Sequence, residues 1–127
     1  MTSLGFSFVS LYAVFIIKHL LGDYLLQTQW MVAGKESPSG WLTPLTAHCA
    51  VHATLTGAIM LVVAPALWWL AAVDFFVHAA IDLFKNVVTR RLGLTPFTES
   101  RWWWIFGIDQ SLHQFTHLGF VVVLISA

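Results

Sequence analysis

The sequence predicts an all-α integral-membrane protein: a four-helix antiparallel, up-down bundle with both termini outside and a polar site in its cytoplasmic half. Three observations predict it. Of the 127 residues 58% are hydrophobic and 9% charged, against about 25% charged in an ordinary soluble domain. The charged outer face of a soluble bundle therefore cannot be built. Four apolar segments reach the roughly 20 residues that cross a bilayer. Every aspartate and every histidine falls inside those segments, whereas both glutamates, Glu36 and Glu99, fall between them. The length suits one domain, residues 1–127. Zero net charge leaves no basic footprint for nucleic acid, and the lone Cys49 has no internal disulfide partner.

The first span is predicted over about 4–31. It lacks a positive n-region and a small-residue cleavage site, so residues 4–17 read as a retained span and not as a signal peptide. The loop AGKESPSGWLT follows, with turn formers at Gly34, Ser37, Pro38 and Gly40. Thr43 as cap and Pro44 in the first helical position start the second span, 44–64. Pro65 breaks it, and the third span runs over 65–92. The loop GLTPFTES leads to the fourth, 101–126. Connections this short make consecutive helices antiparallel neighbours. Tryptophans flank all three connections, at Trp30, Trp41, Trp68, Trp69 and Trp102 to Trp104, and mark two interfacial belts. Lys35, Lys85, Arg90, Arg91 and Arg101 lie in or beside the first and third loops, which the positive-inside rule places in the cytoplasm.

Each span carries a polar stripe. His19 and Asp23 lie on the first, His48 and His52 on the second, Asp74, His78 and Asp82 on the third, and Asp109, His113 and His117 on the fourth. Steps of four put each set on one helical face. In the first and third spans the stripes occupy the C-terminal half, in the second and fourth the N-terminal half. With antiparallel neighbours these halves coincide. At about 1.5 Å per residue, Asp23, His52, Asp82 and Asp109 lie roughly 10–14 Å from their cytoplasmic helix ends. The ten groups converge on one layered site, with Asp74 and His117 deepest.

A buried aspartate costs about 2.5–3.5 kcal/mol at the middle of a span, so four cost on the order of 10 kcal/mol unless something offsets them. A divalent cation does so. Imidazole and carboxylate at i, i+4 on facing helices are ligands for it, and such bundles hold dinuclear centres. The nitrogen and oxygen donor set without thiolate suits zinc first, then manganese, iron or nickel, as one or two ions. The expected ligands are His19, Asp23, His48, His52, His78, Asp82, Asp109 and His113. Asp74 and His117 are expected as supporting groups, and Lys18 as the partner of Asp74. Cys49 is expected to pack away from the site. KHLLGDYLLQ and VHAAIDLFKN both place His and Asp at i, i+4, an internal echo that suggests two similar half-sites related by a pseudo-twofold along the membrane normal.

The ordered motifs HxxxDxxLQT (His19 to Thr28), Lys35, an early His48, HxxxDxxK (His78 to Lys85) and DQxxH (Asp109 to His113) cover nearly the whole chain. They resemble an uncharacterised family of bacterial integral-membrane proteins, domain of unknown function 3307, which looks distantly similar to predicted membrane-bound metal-dependent hydrolases. The resemblance implies a bacterial inner (cytoplasmic) membrane location. It also implies a functional set of His19, Asp23, Gln27, Lys35, His48, His78, Asp82, Lys85, Asp109, Gln110 and His113, leaving His52, Asp74 and His117 outside the pattern.

The leading expectation is a metal-dependent hydrolase acting on a lipid or lipid-linked ester or phosphoester near the cytoplasmic leaflet. A divalent ion makes water a nucleophile near neutral pH. One of Asp23, Asp82 or Asp109 would act as general base, Lys35 or Lys85 would neutralise an anionic headgroup, and Gln27 and Gln110 would support the ligands. The alternative is a transporter or channel for divalent cations or protons, disfavoured by the apolar outer half of the second and fourth spans. Bis-histidine haem ligation, a metal-binding structural protein and a purely structural polar core complete the alternatives, and a homo-oligomer is left open.

Overall fold

A computed structural model describes residues 5–127, which are all-α, with no strand among the described residues. Helix α1 (Phe8–Leu20) starts where the Ser7 hydroxyl accepts the Ser10 backbone N–H at 3.2 Å. The chain then departs from the single helix expected over 4–31, whose first residue lies outside the described residues. Leu21–Leu25 forms a wide π-turn, closed by the Leu26 N–H reaching the Leu21 carbonyl at 2.8 Å. The Gln27 side chain donates to the Asp23 carbonyl at 2.7 Å, and Thr28 caps a new short helix, α2 (Gln29–Lys35). Apolar continuity across this stretch hides two polar residues that end one helix and begin another.

Helix α3 (Leu42–Val63) begins two residues before Pro44, and Trp41, not Thr43, occupies the capping position. A 3-10 turn at Pro65–Leu67 separates it from α4 (Leu70–Arg91), so Pro65 ends one helix without starting the next. Gly93 takes φ of +63° and closes α4: its N–H meets the Arg90 carbonyl at 3.2 Å and the Leu94 N–H meets Thr89 at 2.9 Å. That pair of bonds needs a residue comfortable in the left-handed region, hence glycine. Helix α5 (Ser100–Ser126) completes the chain.

Helix α3 packs on α4, α4 on α5, α5 on α1, and α2 lies against α3. The interior has two zones. At the end carrying the α1 start and the α5 finish, Leu11, Phe15, Met60, Val63, Leu70, Phe120, Val121 and Leu124 form an apolar cluster. In the other half most of the buried side chains are polar, among them His19, Lys35, His48, His52, His78, Asp82, Asp109 and His113. The outside is the reverse. Phe76 is 71% exposed, while His78, two residues on, is 1% exposed. Three helical segments, Phe8–Leu25, Leu42–Val63 and Pro65–Arg91, are long and apolar enough to cross a membrane. Helix α5 has the length, 27 residues, but Asp109, Gln110, His113, Gln114 and His117 dilute its hydropathy.

Candidate metal centre

The four stripes meet. Asp23, set on the π-turn, is the hub of the first group: its Oδ1 lies 2.8 Å from His52 Nε2, 3.3 Å from His48 Nε2 and 3.9 Å from His78 Nε2. Asp82 is the hub of the second, with Oδ1 at 3.2 Å from His113 Nε2 and 3.8 Å from His78 Nε2. In each group, Asp23/His48/His52/His78 and His78/Asp82/His113, one donor atom per residue lies within 4.8 Å of all the others. His78 belongs to both. A π-turn is a frequent feature of functional sites because its extra residue per turn re-aims a side chain. Here it carries Asp23.

The nitrogens lie close enough together that they could hold a cation. His48 and His78 bring their Nε2 atoms to 3.1 Å of one another, a distance at which one nitrogen donates its N–H to the lone pair of the other. Meanwhile the Nδ1 atoms of His19, His48, His52, His78 and His117 have no hydrogen-bond partner among the described residues. A carboxylate or carbonyl usually orients a metal-binding imidazole from behind; packing between rings does it here. His52 stacks on His78 at 3.9 Å between centroids, and His78 on His113 at 4.1 Å.

Two expected ligands stand beside these groups. His19 Nε2 lies 3.1 Å from the other oxygen of Asp23, and 3.0 Å from Gln110 Oε1. Asp109 Oδ1 lies 3.8 Å from His113 Nε2 and has no hydrogen-bond partner among the described residues; its Oδ2 accepts from Gln110 Nε2 at 3.0 Å. Gln110 thus ties the two together, whereas Gln27 touches only the Asp23 carbonyl. Asp74 and His117 form a separate deeper layer: Lys18 Nζ donates to Asp74 Oδ2 at 2.6 Å and sits 3.4 Å from His117 Nε2, and Thr56 donates to the same Asp74 oxygen at 2.6 Å. Lys18 and Asp74 pair as their depth in the helices suggests.

The lysines are the larger surprise. Lys35, 6% exposed, donates from Nζ to Asp82 Oδ2 at 2.8 Å, and Lys85, also buried, reaches Glu36 at 3.4 Å. Of the five cations used to orient the chain, only Arg90, Arg91 and Arg101 remain as exposed ones. Asp23, Asp82, Asp109, Lys35, Lys85 and Glu36 line a cavity of about 150 Å³, which Tyr24, Trp102 and Phe106 flank. Cys49 is fully buried.

Sequence reasoning missed Gly22, Asn86 and Glu36. A Cβ at Gly22 would run into the His52 imidazole. Asn86 donates to the Lys35 carbonyl at 3.0 Å. Only Glu36 left a trace, in its adjacency to Lys35.

No curated protein and no solved structure matches the chain. A family model does, over residues 11–126, and its span takes in every residue of the centre. The chain therefore belongs to the family described as Protein of unknown function (DUF3307).

Proposed function

We propose that the chain is a membrane-embedded, metal-dependent hydrolase of lipid or lipid-linked phosphoesters. In this reading it is a four-span protein of a bacterial inner membrane with both termini outside and the cavity facing the cytoplasm. The observation that carries the proposal is the juxtaposition in one cavity of metal-ligating carboxylates, two lysines and an aromatic flank. Residues Asp23, His48, His52 and His78 would hold a divalent ion, zinc by the donor set. When bound, such an ion supplies an electrophile and a nucleophilic water at neutral pH.

The chain's own groups supply the rest. Asp109 Oδ1, buried and without a hydrogen-bond partner among the described residues, takes the proton from the attacking water. Gln110 fixes Asp109 through its other oxygen. Lys85 attracts the substrate phosphate, and Tyr24, Trp102 and Phe106 provide the surface along which an acyl or prenyl chain lies. Charge sets the order of binding. Four carboxylates face two ammonium groups in the cavity, so it repels an anion until a divalent cation neutralises it.

The test is elemental analysis of the detergent-purified protein, followed by assay against lipid phosphoesters. Asp109→Asn is expected to retain metal and lose about 10²–10⁴ in kcat. Absence of metal after repletion defeats the proposal. Transport of cations or protons is the second reading, but the apolar cluster of Leu11, Phe15, Met60, Phe120 and Leu124 offers no polar exit at the opposite end. Metal-dependent flux through proteoliposomes would favour it.

A further inference from the structure

The centre is built from two halves that correspond in spacing and differ in two of their groups. Asp23 and His52, 29 residues apart, meet at 2.8 Å; Asp82 and His113, 31 residues apart, meet at 3.2 Å. Each aspartate follows a histidine by four residues, His19 and His78, and each partner histidine follows another donor by four, His48 and Asp109. The halves therefore correspond residue by residue: His19, Asp23, His48 and His52 with His78, Asp82, Asp109 and His113.

They part company at the second carboxylate oxygen. Asp23 Oδ2 faces an imidazole, His19, at 3.1 Å. Asp82 Oδ2 faces an ammonium, Lys35 Nζ, at 2.8 Å. Lys35 has no counterpart in the first half, and it does not arrive there by chance of a flexible side chain. Helix α2 is pressed onto α3 so closely that a Cβ at Gly34 would enter the Pro44 ring, and Asn86 holds the Lys35 carbonyl. The second half also contains two carboxylates where the first contains one, and Asp109 Oδ1 is buried there without a hydrogen-bond partner among the described residues. Two carboxylates and one or two imidazoles are a donor set for a divalent cation. A lysine ammonium satisfies the charge but uses only one of the available oxygens.

We infer that Lys35 stands in for a second metal ion. The protein binds one divalent cation, in the Asp23/His48/His52/His78 group, and in the Asp82/Asp109/His113 half the Lys35 ammonium, on the Asp82 oxygen opposite His113, supplies the positive charge that a second cation would bring. This rests on the metal-centre reading above. Removing the ammonium converts a one-ion site into a two-ion site, with Asp82, Asp109, His113 and the shared His78 as the second ligand set. Lys35 then acts in catalysis as a fixed positive charge beside the ion, where a second metal would otherwise stabilise the charge developing on the substrate.

The experiment loads the full chain in detergent with manganese or zinc, removes free metal by gel filtration, and counts bound ions for wild type, Lys35→Gln and Lys35→Arg. The expected result is one equivalent in wild type and in Lys35→Arg, and two in Lys35→Gln. With manganese, Lys35→Gln is also expected to gain the spin-coupled electron paramagnetic resonance signal of an ion pair, absent from wild type. Two ions in wild type overturn the inference whether or not the variants fold. One ion in a folded, helical Lys35→Gln overturns it too, while leaving the metal centre standing. No ion in any of the three removes the metal reading itself, and the inference with it.

Discussion

Gly22 lacks a side chain because the His52 imidazole occupies the space one would need. Gly22→Ala must push that ring off Asp23, with which it makes the shortest contact in the first group, 2.8 Å. Metal affinity is expected to fall about 10- to 100-fold, as for other changes that displace a ligand without removing it; competition with a chromophoric chelator measures this, and an unchanged affinity would place the ion elsewhere. Lys18 and Asp74 make a different kind of statement. Both are at most 2% exposed, so Lys18→Met strands a buried carboxylate at a cost of about 3–5 kcal/mol. Adding Asp74→Asn is expected to recover most of that loss, a non-additivity visible in thermal unfolding in detergent. Their pairing was legible from depth along the helices, as were the four stripes. Gly22 and Asn86 were not legible, because one acts by having no side chain and the other through a backbone carbonyl on a different helix. Neither property shows in residue type or spacing.

Helix boundaries were less legible than helix faces. The stripe steps survive a change from α to π geometry at Leu21–Leu25 because Asp23 still follows His19 by four residues and the two side chains still touch, at 3.1 Å. The break after Leu26 was invisible because apolar residues continue through Trp30 and Met31 on both sides of Gln27 and Thr28. That break matters: it frees α2 to fold onto α3 and deliver Lys35 to Asp82. Gly34→Ala is expected to lift α2 from Pro44 and break the Lys35–Asp82 pair. Lys35 should then acylate faster with an amine reagent, read by mass spectrometry, while Lys18 in the deeper layer stays protected. Equal reactivity of Lys35 in the two proteins would show that its position does not depend on this close approach. The start of α3 is a smaller miss. Thr43-Pro44 reads as a start signal, yet the helix extends back to Leu42, placing Pro44 where its missing N–H still costs nothing.

The molecule as a whole is polar within and apolar without over one half, and apolar throughout over the other. Composition alone made the membrane class legible, since 9% charged residues cannot clothe a soluble bundle. Helix α5 falls outside the helices apolar enough to cross a membrane, and the residues that dilute its hydropathy, among them Asp109, His113 and His117, are buried. The two halves are expected to respond separately to mutation. Met60→Ala empties space in the apolar cluster and should cost about 2–5 kcal/mol, lowering the unfolding temperature without changing the number of ions bound. A loss of metal in that variant would mean that the cluster and the centre are one cooperative unit.

Under the proposed function, that apolar cluster has a consequence for where the protein would get its ion. Leu11, Phe15, Met60, Phe120 and Leu124 fill one end, and the cavity lining lies toward the other, which carries the α2–α3 and α4–α5 connections. In the proposed reading a cation would arrive from, and be withdrawn into, the compartment that this end faces. In sealed vesicles of fixed orientation, a membrane-impermeant chelator should strip the centre from the loop side and leave it filled from the side of the termini. The protein would then report the metal supply of one compartment while standing in the wall between two.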